Sequence, residues 1–138
     1  EEKKNGAQKR VLSGVPRSLP ALIKGLRVQE KAGKVGFEWE SREDVWKKVE
    51  EETGELHDAV QSDDPSKQEE EFGDLMFALV NYARYIDVDP EAALEKANRK
   101  FIRRFNYVEE QAMKKGRELD GMTLEEMDSL WDEAKTLE

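Results

Sequence analysis

Cysteine is absent and histidine occurs once, at His57, in a chain of 138 residues. Without thiols there is neither a disulfide framework nor a thiolate metal site, and a reducing, cytoplasmic setting fits. With one histidine, no cysteine and no serine in a nucleophile-elbow setting, covalent acyl transfer lacks its parts. No run approaches the ~20 apolar residues of a membrane span, and no basic start followed by an apolar stretch marks a signal peptide, so a membrane partner is not expected. Positive charge is also in deficit: 32 acidic against 23 basic residues give a formal charge of −9, which disfavours bulk binding to nucleic acid.

What remains is polar but patterned. Hydrophobic residues make up 37% and charged residues 40%, with apolar positions recurring rather than blocked. The length suits one domain with one core. Residues 1–17 carry Gly6, Gly14 and Pro16 without sustained periodicity and read as a polar, extended lead-in; the first residue is Glu1, so the piece reads as cut from a longer chain. From Ser18 onward the pattern is helical, and no strand pattern or internal repeat occurs. Ser18 resembles a start for a helix carrying Leu19, Leu22, Ile23 and Leu26, stopped by Gly33 and Gly36. Val45, Val49, Leu56 and Val60 define a second helix from about Glu43 to Gln61. Ser66 with Glu69 has capping-box spacing ahead of a third, with the stripe Phe72, Leu75, Met76, Leu79, Ala83 and Ile86. Asp89 and Pro90 open the longest helix, with Leu94, Ala97, Phe101, Phe105, Val108 and Ala112, and Thr123 with Glu126 caps a short closing one. The expectation is an all-α antiparallel bundle of about five helices over 18–138.

Several carboxylates fall where the pattern expects apolar groups. At about 100° per residue Glu52 lies about 60° from Val49, on the buried side of the second helix, while Glu51 points away and reads as a solvated acid. Glu55 follows three residues after Glu52, on the same side. On the third helix Glu71 lies close to Leu75 and Tyr82, with Asp74 at the edge of that face. A short turn makes the two helices antiparallel neighbours, which can bring both pairs together. Four gathered carboxylates repel unless a hard cation neutralises them, and oxygen-only donors suit magnesium, manganese or calcium. The alternative, that a glutamate-rich chain puts acids near an apolar stripe by chance, stays open. A di-iron bundle site is excluded, because His57 has Gly54, not glutamate, three residues before it.

Cations suited to phosphates cluster on the fourth helix, where Arg99, Lys100, Arg103 and Arg104 surround Phe101 and Ile102. Lys100 and Arg104 are one turn apart, as are Trp131 and Lys135 on the last helix, a pair able to stack on a base and reach its phosphates. A solvated face paired with Glu95, Glu109 or Glu110, and a tryptophan in the core, are the plainer readings.

Glu51-Glu52-Thr53-Gly54-Glu55, fifteen intervening residues, then Glu71-Phe72-Gly73-Asp74 resembles the EExxE…ExxD pattern of the MazG-type nucleoside triphosphate pyrophosphohydrolases. The similarity extends to Gly14–Leu22, Val35–Trp39, Phe77–Asn81 and Asn98–Phe101. The resemblance implies an all-α fold that dimerises into a bundle, with magnesium, or manganese in its place, held by Glu52, Glu55, Glu71 and Asp74 as the catalytic set. It further implies nucleotide contacts from Lys48, Lys67, Lys100, Arg104, Trp131 and Lys135, and the carboxy-terminal one of two tandem domains in a longer chain.

The reaction expected is attack of water on the α-phosphorus of a ribo- or deoxyribonucleoside triphosphate, giving a monophosphate and pyrophosphate. Glu52 or Glu55 would take the proton of that water, and Lys100 and Arg104 would stabilise charge on the leaving pyrophosphate. Two rivals are a catalytically idle helical module that regulates or dimerises a parent protein, and a binder of structured nucleic acid through Arg99–Arg104. The intact carboxylate set argues against the first and the net charge against the second.

Overall fold

The computed structural model describes residues 9–138. Five α-helices follow one another: α1 (Ala21–Lys34), α2 (Arg42–Ser62), α3 (Pro65–Tyr85), α4 (Pro90–Lys114) and α5 (Leu124–Thr136), with a single 3₁₀ turn at Leu119–Gly121 before the last. No strand occurs among the described residues. The all-α expectation holds. Residues 10–15 turn rather than run extended, through Ser13 N to Arg10 O and Val15 N to Leu12 O. Residues 1–8 of the lead-in lie outside the described residues.

Two compact units divide the chain, one up to Glu91 and one from Ala92. In the first, Ser41 starts α2 by accepting the Asp44 backbone N–H. Asp63, in the left-handed region at φ 62°, ends α2, and the next residue starts α3. Asp64 accepts the N–H groups of Ser66 and Lys67, with Pro65 in the first turn, so the cap is an aspartate and not the capping box expected at Ser66. The start of α1 likewise lies at Pro20, without a side-chain cap, rather than at Ser18.

A two-residue turn leaves α2 and α3 antiparallel. Near it Gln68 donates to the Ala59 carbonyl, and at the far end the rings of Trp46 and Tyr82 meet at 5.1 Å. The inward side of α2 is Val45, Val49, Glu52, half-buried Leu56 and Ala59, alternating spacings of four and three residues. Glu71, Leu75 and Ala78 continue the same rhythm on α3, with Val80 and Ala83 also buried. Small side chains allow close approach of the two helices. The apolar stripes expected from the sequence are partly displaced: Val60, Phe72, Met76, Leu79 and Ile86 are exposed. Helix α3 thus has two apolar faces, and the one legible as a stripe is the outer one.

In the second unit Val108 and Ala112 on α4 and Leu130 and Ala134 on α5 form the core, whereas Leu94, Phe101 and Phe105 are exposed, contrary to the stripe expected. Gly116, at φ 66°, turns the chain out of α4. The turn is then held by charge. Arg117 donates to both carboxylate oxygens of Glu126 and to the Gly121 carbonyl, while Thr123 and Glu126 complete a reciprocal capping box. Arg117 first, and the Thr123 N–H next, hold the Glu126 carboxyl down at about 2. At the other end Arg104 and Arg103 hold Glu138 at about 2 as well.

Both acids are lowered by folding, so what they contribute is present above their ordinary value of 4.5 and is lost as pH falls through about 2. Carboxyl chemical shifts of Glu126 and Glu138 should accordingly titrate near 2, and α5 should keep its helix signal at pH 4.5 but lose it below. Thr123→Ala, which opens the capping box, should cost about 1 kcal/mol in denaturant unfolding of this unit.

Candidate active site

Glu52 and Glu71 take core positions of the α2–α3 seam and are only 6% and 8% exposed. Each belongs to the alternating inward row, which is why the sequence wheel places them with apolar neighbours. The seam brings the two motifs into one cluster. One oxygen each from Glu52, Glu71 and Asp74 lie within 4.8 Å of one another, as do oxygens from Glu51, Glu52 and Glu55. Glu52 is common to both groups.

Electrostatically the cluster is under-neutralised. Lys48 Nζ lies 3.1 Å from Glu52 Oε2 and 3.6 Å from Glu51 Oε2, an ion pair that pushes the Lys48 ammonium above its ordinary value. Against Lys48 stand five carboxylates among the described residues. Burial first, then repulsion from Glu55 and Asp74, push the Glu71 carboxyl above the usual range. Glu52 Oε1 and Glu71 Oε1 are buried with no hydrogen-bond partner among the described residues. Buried carboxylate oxygens left unpaired are costly unless something positive meets them. The donor set is all oxygen, partly buried and open on the side of exposed Glu55 and Asp74, which fits a hard divalent cation and offers nothing to a soft one.

Of the other residues singled out in the sequence, Lys67 is exposed in the first turn of α3. Lys100, Arg104, Trp131 and Lys135 belong to the second unit. There the Arg104 guanidinium lies 5.8 Å from the Trp131 ring centre, and Trp131 packs at 5.1 Å on Phe101. Arg104 also grips Glu138 with two bonds of 2.7 and 3.0 Å. Lys100 lines a shallow basic hollow with Lys96, Arg99 and Arg103, and Lys135 is exposed. Glu51, read from the sequence as a plain surface acid, is exposed as expected but adds a fifth carboxylate to the cluster; the adjacent glutamates were the available signal. Gly73, where the sequence suggested a close approach, has open space beside it.

An all-helical fold with buried carboxylates facing each other across two antiparallel helices is an arrangement that could hold a metal ion. The MazG nucleotide pyrophosphohydrolase domain model matches residues 40–109, half of the chain, and the chain belongs to that family. It is 48% identical over 117 residues to the nucleoside triphosphate pyrophosphohydrolase/pyrophosphatase MazG of Thermotoga maritima, covering 85% of this chain and 45% of that one. It is 44% identical over 140 residues to a nucleoside triphosphate pyrophosphohydrolase of Escherichia coli, covering 100% of this chain and 53% of that one. Over 68 residues it is 57% identical to the uncharacterized protein YabN of Bacillus subtilis. The chain spans about half the length of the first two of these curated relatives.

Because folding raises the Glu71 value, the cation-free protein loses stability as pH rises from 4.5 through the raised value. In chelator at neutral pH, Glu71→Gln should therefore melt a few degrees higher than the parent and show a flatter pH dependence by calorimetry. Added magnesium should stabilise the parent, by about 2.7 kcal/mol at a hundredfold excess over its dissociation constant, and should not stabilise the variant comparably.

Proposed function

We propose that the chain hydrolyses nucleoside triphosphates to a nucleoside monophosphate and pyrophosphate, water attacking the α-phosphorus. The observation that carries this is the pair of buried, partnerless carboxylate oxygens on Glu52 and Glu71, set in a five-acid cluster of a family defined by nucleotide pyrophosphohydrolysis. Magnesium, with manganese as a substitute, is the ion assigned to Glu52, Glu55, Glu71 and Asp74. When bound, such an ion neutralises phosphate oxygens and polarises water.

The chain's own groups then divide the work. Lys48 already engages Glu52, which leaves exposed Glu55 as the acid better placed to take the proton of the attacking water. By resemblance to the family, Lys48, Lys67, Lys100, Arg104 and Lys135 are the cations assigned to the triphosphate. Arg104 would release Glu138 to meet a phosphate oxygen, one charge-assisted partner replacing another. Trp131 offers an aromatic face. The outer stripe of α3, with Phe72, Met76 and Leu79, is apolar surface that a homodimer would cover. The same reading places residues 18–138 as the catalytic domain, beside a second such domain in a longer cytoplasmic protein. No helix of the described residues is long and apolar enough to cross a membrane.

Incubation with ribo- and deoxyribonucleoside triphosphates should release monophosphate and pyrophosphate only when magnesium is present. Asp74→Asn should lower that rate on the order of 100-fold or more, and Lys100→Ala should raise KM with a smaller change in kcat. Release of inorganic phosphate and a diphosphate would contradict the assigned bond. A folded chain that binds magnesium and turns over nothing would favour the idle-module reading.

A further inference from the structure

The formal charge of −9 is unevenly spread. Residues 9–37 hold seven basic residues and one acid, Glu30, a local balance of +6 that the average over the chain conceals. Helix α1 sorts these charges by side. Lys24, Arg27, Lys31 and Lys34 stand at i, i+3, i+7 and i+10, within about 80° of one another around the axis, with no other residue of α1 between them. Gln29, the buried residue of α1, lies about 180° from the middle of that stripe. Its amide marks the inward side: Nε2 donates to the Phe77 carbonyl at 2.9 Å, and Oε1 is buried. The stripe therefore faces out.

Two of its cations also fix the segment ahead of α1. Lys24 Nζ donates to the Arg17 carbonyl at 2.7 Å, and a Cβ at Gly14 would stand 3.4 Å from Lys31 Nζ. The segment is thereby laid along the stripe, and exposed Arg17 extends it. Neutralisation of this row is slight. Among the described residues the sole carboxylate within ion-pair distance of these five cations is Glu30, 3.1 Å from Arg27. On α4 the arginines are already engaged: Arg99 meets Glu95, and Arg103 and Arg104 meet Glu138.

The chemistry of the row selects its partner. A protein interface sets apolar and aromatic anchors at its centre and is poor in lysine, whereas this stripe is lysine and arginine alone. A helix that lies in a membrane surface needs a free apolar face, and the apolar side of α1 is packed on α3, where Gly25 lies against Phe77 and Val80. A phosphate backbone asks only for charge in a line. From Lys24 to Lys34 the stripe runs about 15 Å, over which one strand of a duplex presents about four phosphates. We infer that the outer face of α1, with Arg17, binds the phosphate backbone of nucleic acid without regard to sequence. This surface is independent of the carboxylate cluster and of the hydrolase reading.

The test is fluorescence anisotropy of labelled DNA and RNA duplexes of about 20 base pairs with the full chain, over about 50 to 200 mM potassium chloride. The parent should bind in the micromolar range at the lowest salt, with log K falling against log salt at a slope of about −3.6 on DNA. Arg17→Gln, Lys31→Gln and Lys34→Gln together should bring that slope to about −1 and weaken binding by about tenfold or more at low salt. Lys34→Gln alone, at an exposed position, should lower the slope by about one, which keeps the inference testable if the triple variant fails to fold. Arg99→Gln with Arg103→Gln should change neither quantity. Binding confined to one of the two duplexes supports the inference and identifies the nucleic acid. No binding by the parent, a slope near zero, an equal loss in the α4 variant, or equal binding to polyglutamate or to phosphatidylglycerol vesicles would overturn it.

Discussion

A carboxylate withdrawn from water must find a positive partner or a proton, and the α2–α3 seam contains two that have neither in full. Glu52 and Glu71 take positions in the inward rows that Val45, Val49, Ala59 and Ala78 occupy elsewhere. One oxygen of Glu52 has Lys48, and the other has nothing. Much of the first unit is intelligible from this. Small residues let the helices approach, the two-residue turn sets their register, and the register sets Glu52 against Glu71 and Asp74. A seam filled with leucine would avoid the cost of burying these acids.

The second unit uses charge in the opposite way. Its ion pairs, Arg117 with Glu126 and Arg104 with Glu138, are matched one for one, cation to carboxylate. They fasten the turn and the end of α5 without burying charge. Tyr107 with Glu133 adds a third tie between α4 and α5. In the first unit Lys48 has two carboxylates to meet, Glu51 and Glu52.

The helices were largely legible in the sequence, because Pro65, Pro90, Gly116 and the Thr123–Glu126 box punctuate them. The wheel also separated buried Glu52 from exposed Glu51. The apolar stripe of α3 was misjudged for a definite reason: with Glu71 inside, Phe72, Met76 and Leu79 make the stronger stripe, yet that stripe is the exposed one. Glu71 was nonetheless placed correctly beside Leu75, because the wheel set it next to a residue that belongs to both rows. Gln29 was missed because glutamine carries no motif, although it continues the row of Leu22 and Leu26 on α1. Neither its bond to Phe77 nor its free oxygen can be read from spacing within one helix.

The central claim is that the α2–α3 carboxylates form one cation site. Crystals grown with manganese and measured at its absorption edge test it most directly. The claim predicts an anomalous peak in contact with oxygens of Glu52, Glu55, Glu71 and Asp74, abolished in Glu71→Gln. Manganese bound only at other acids, such as Glu126 or Glu138, or no peak at saturating manganese, would contradict it.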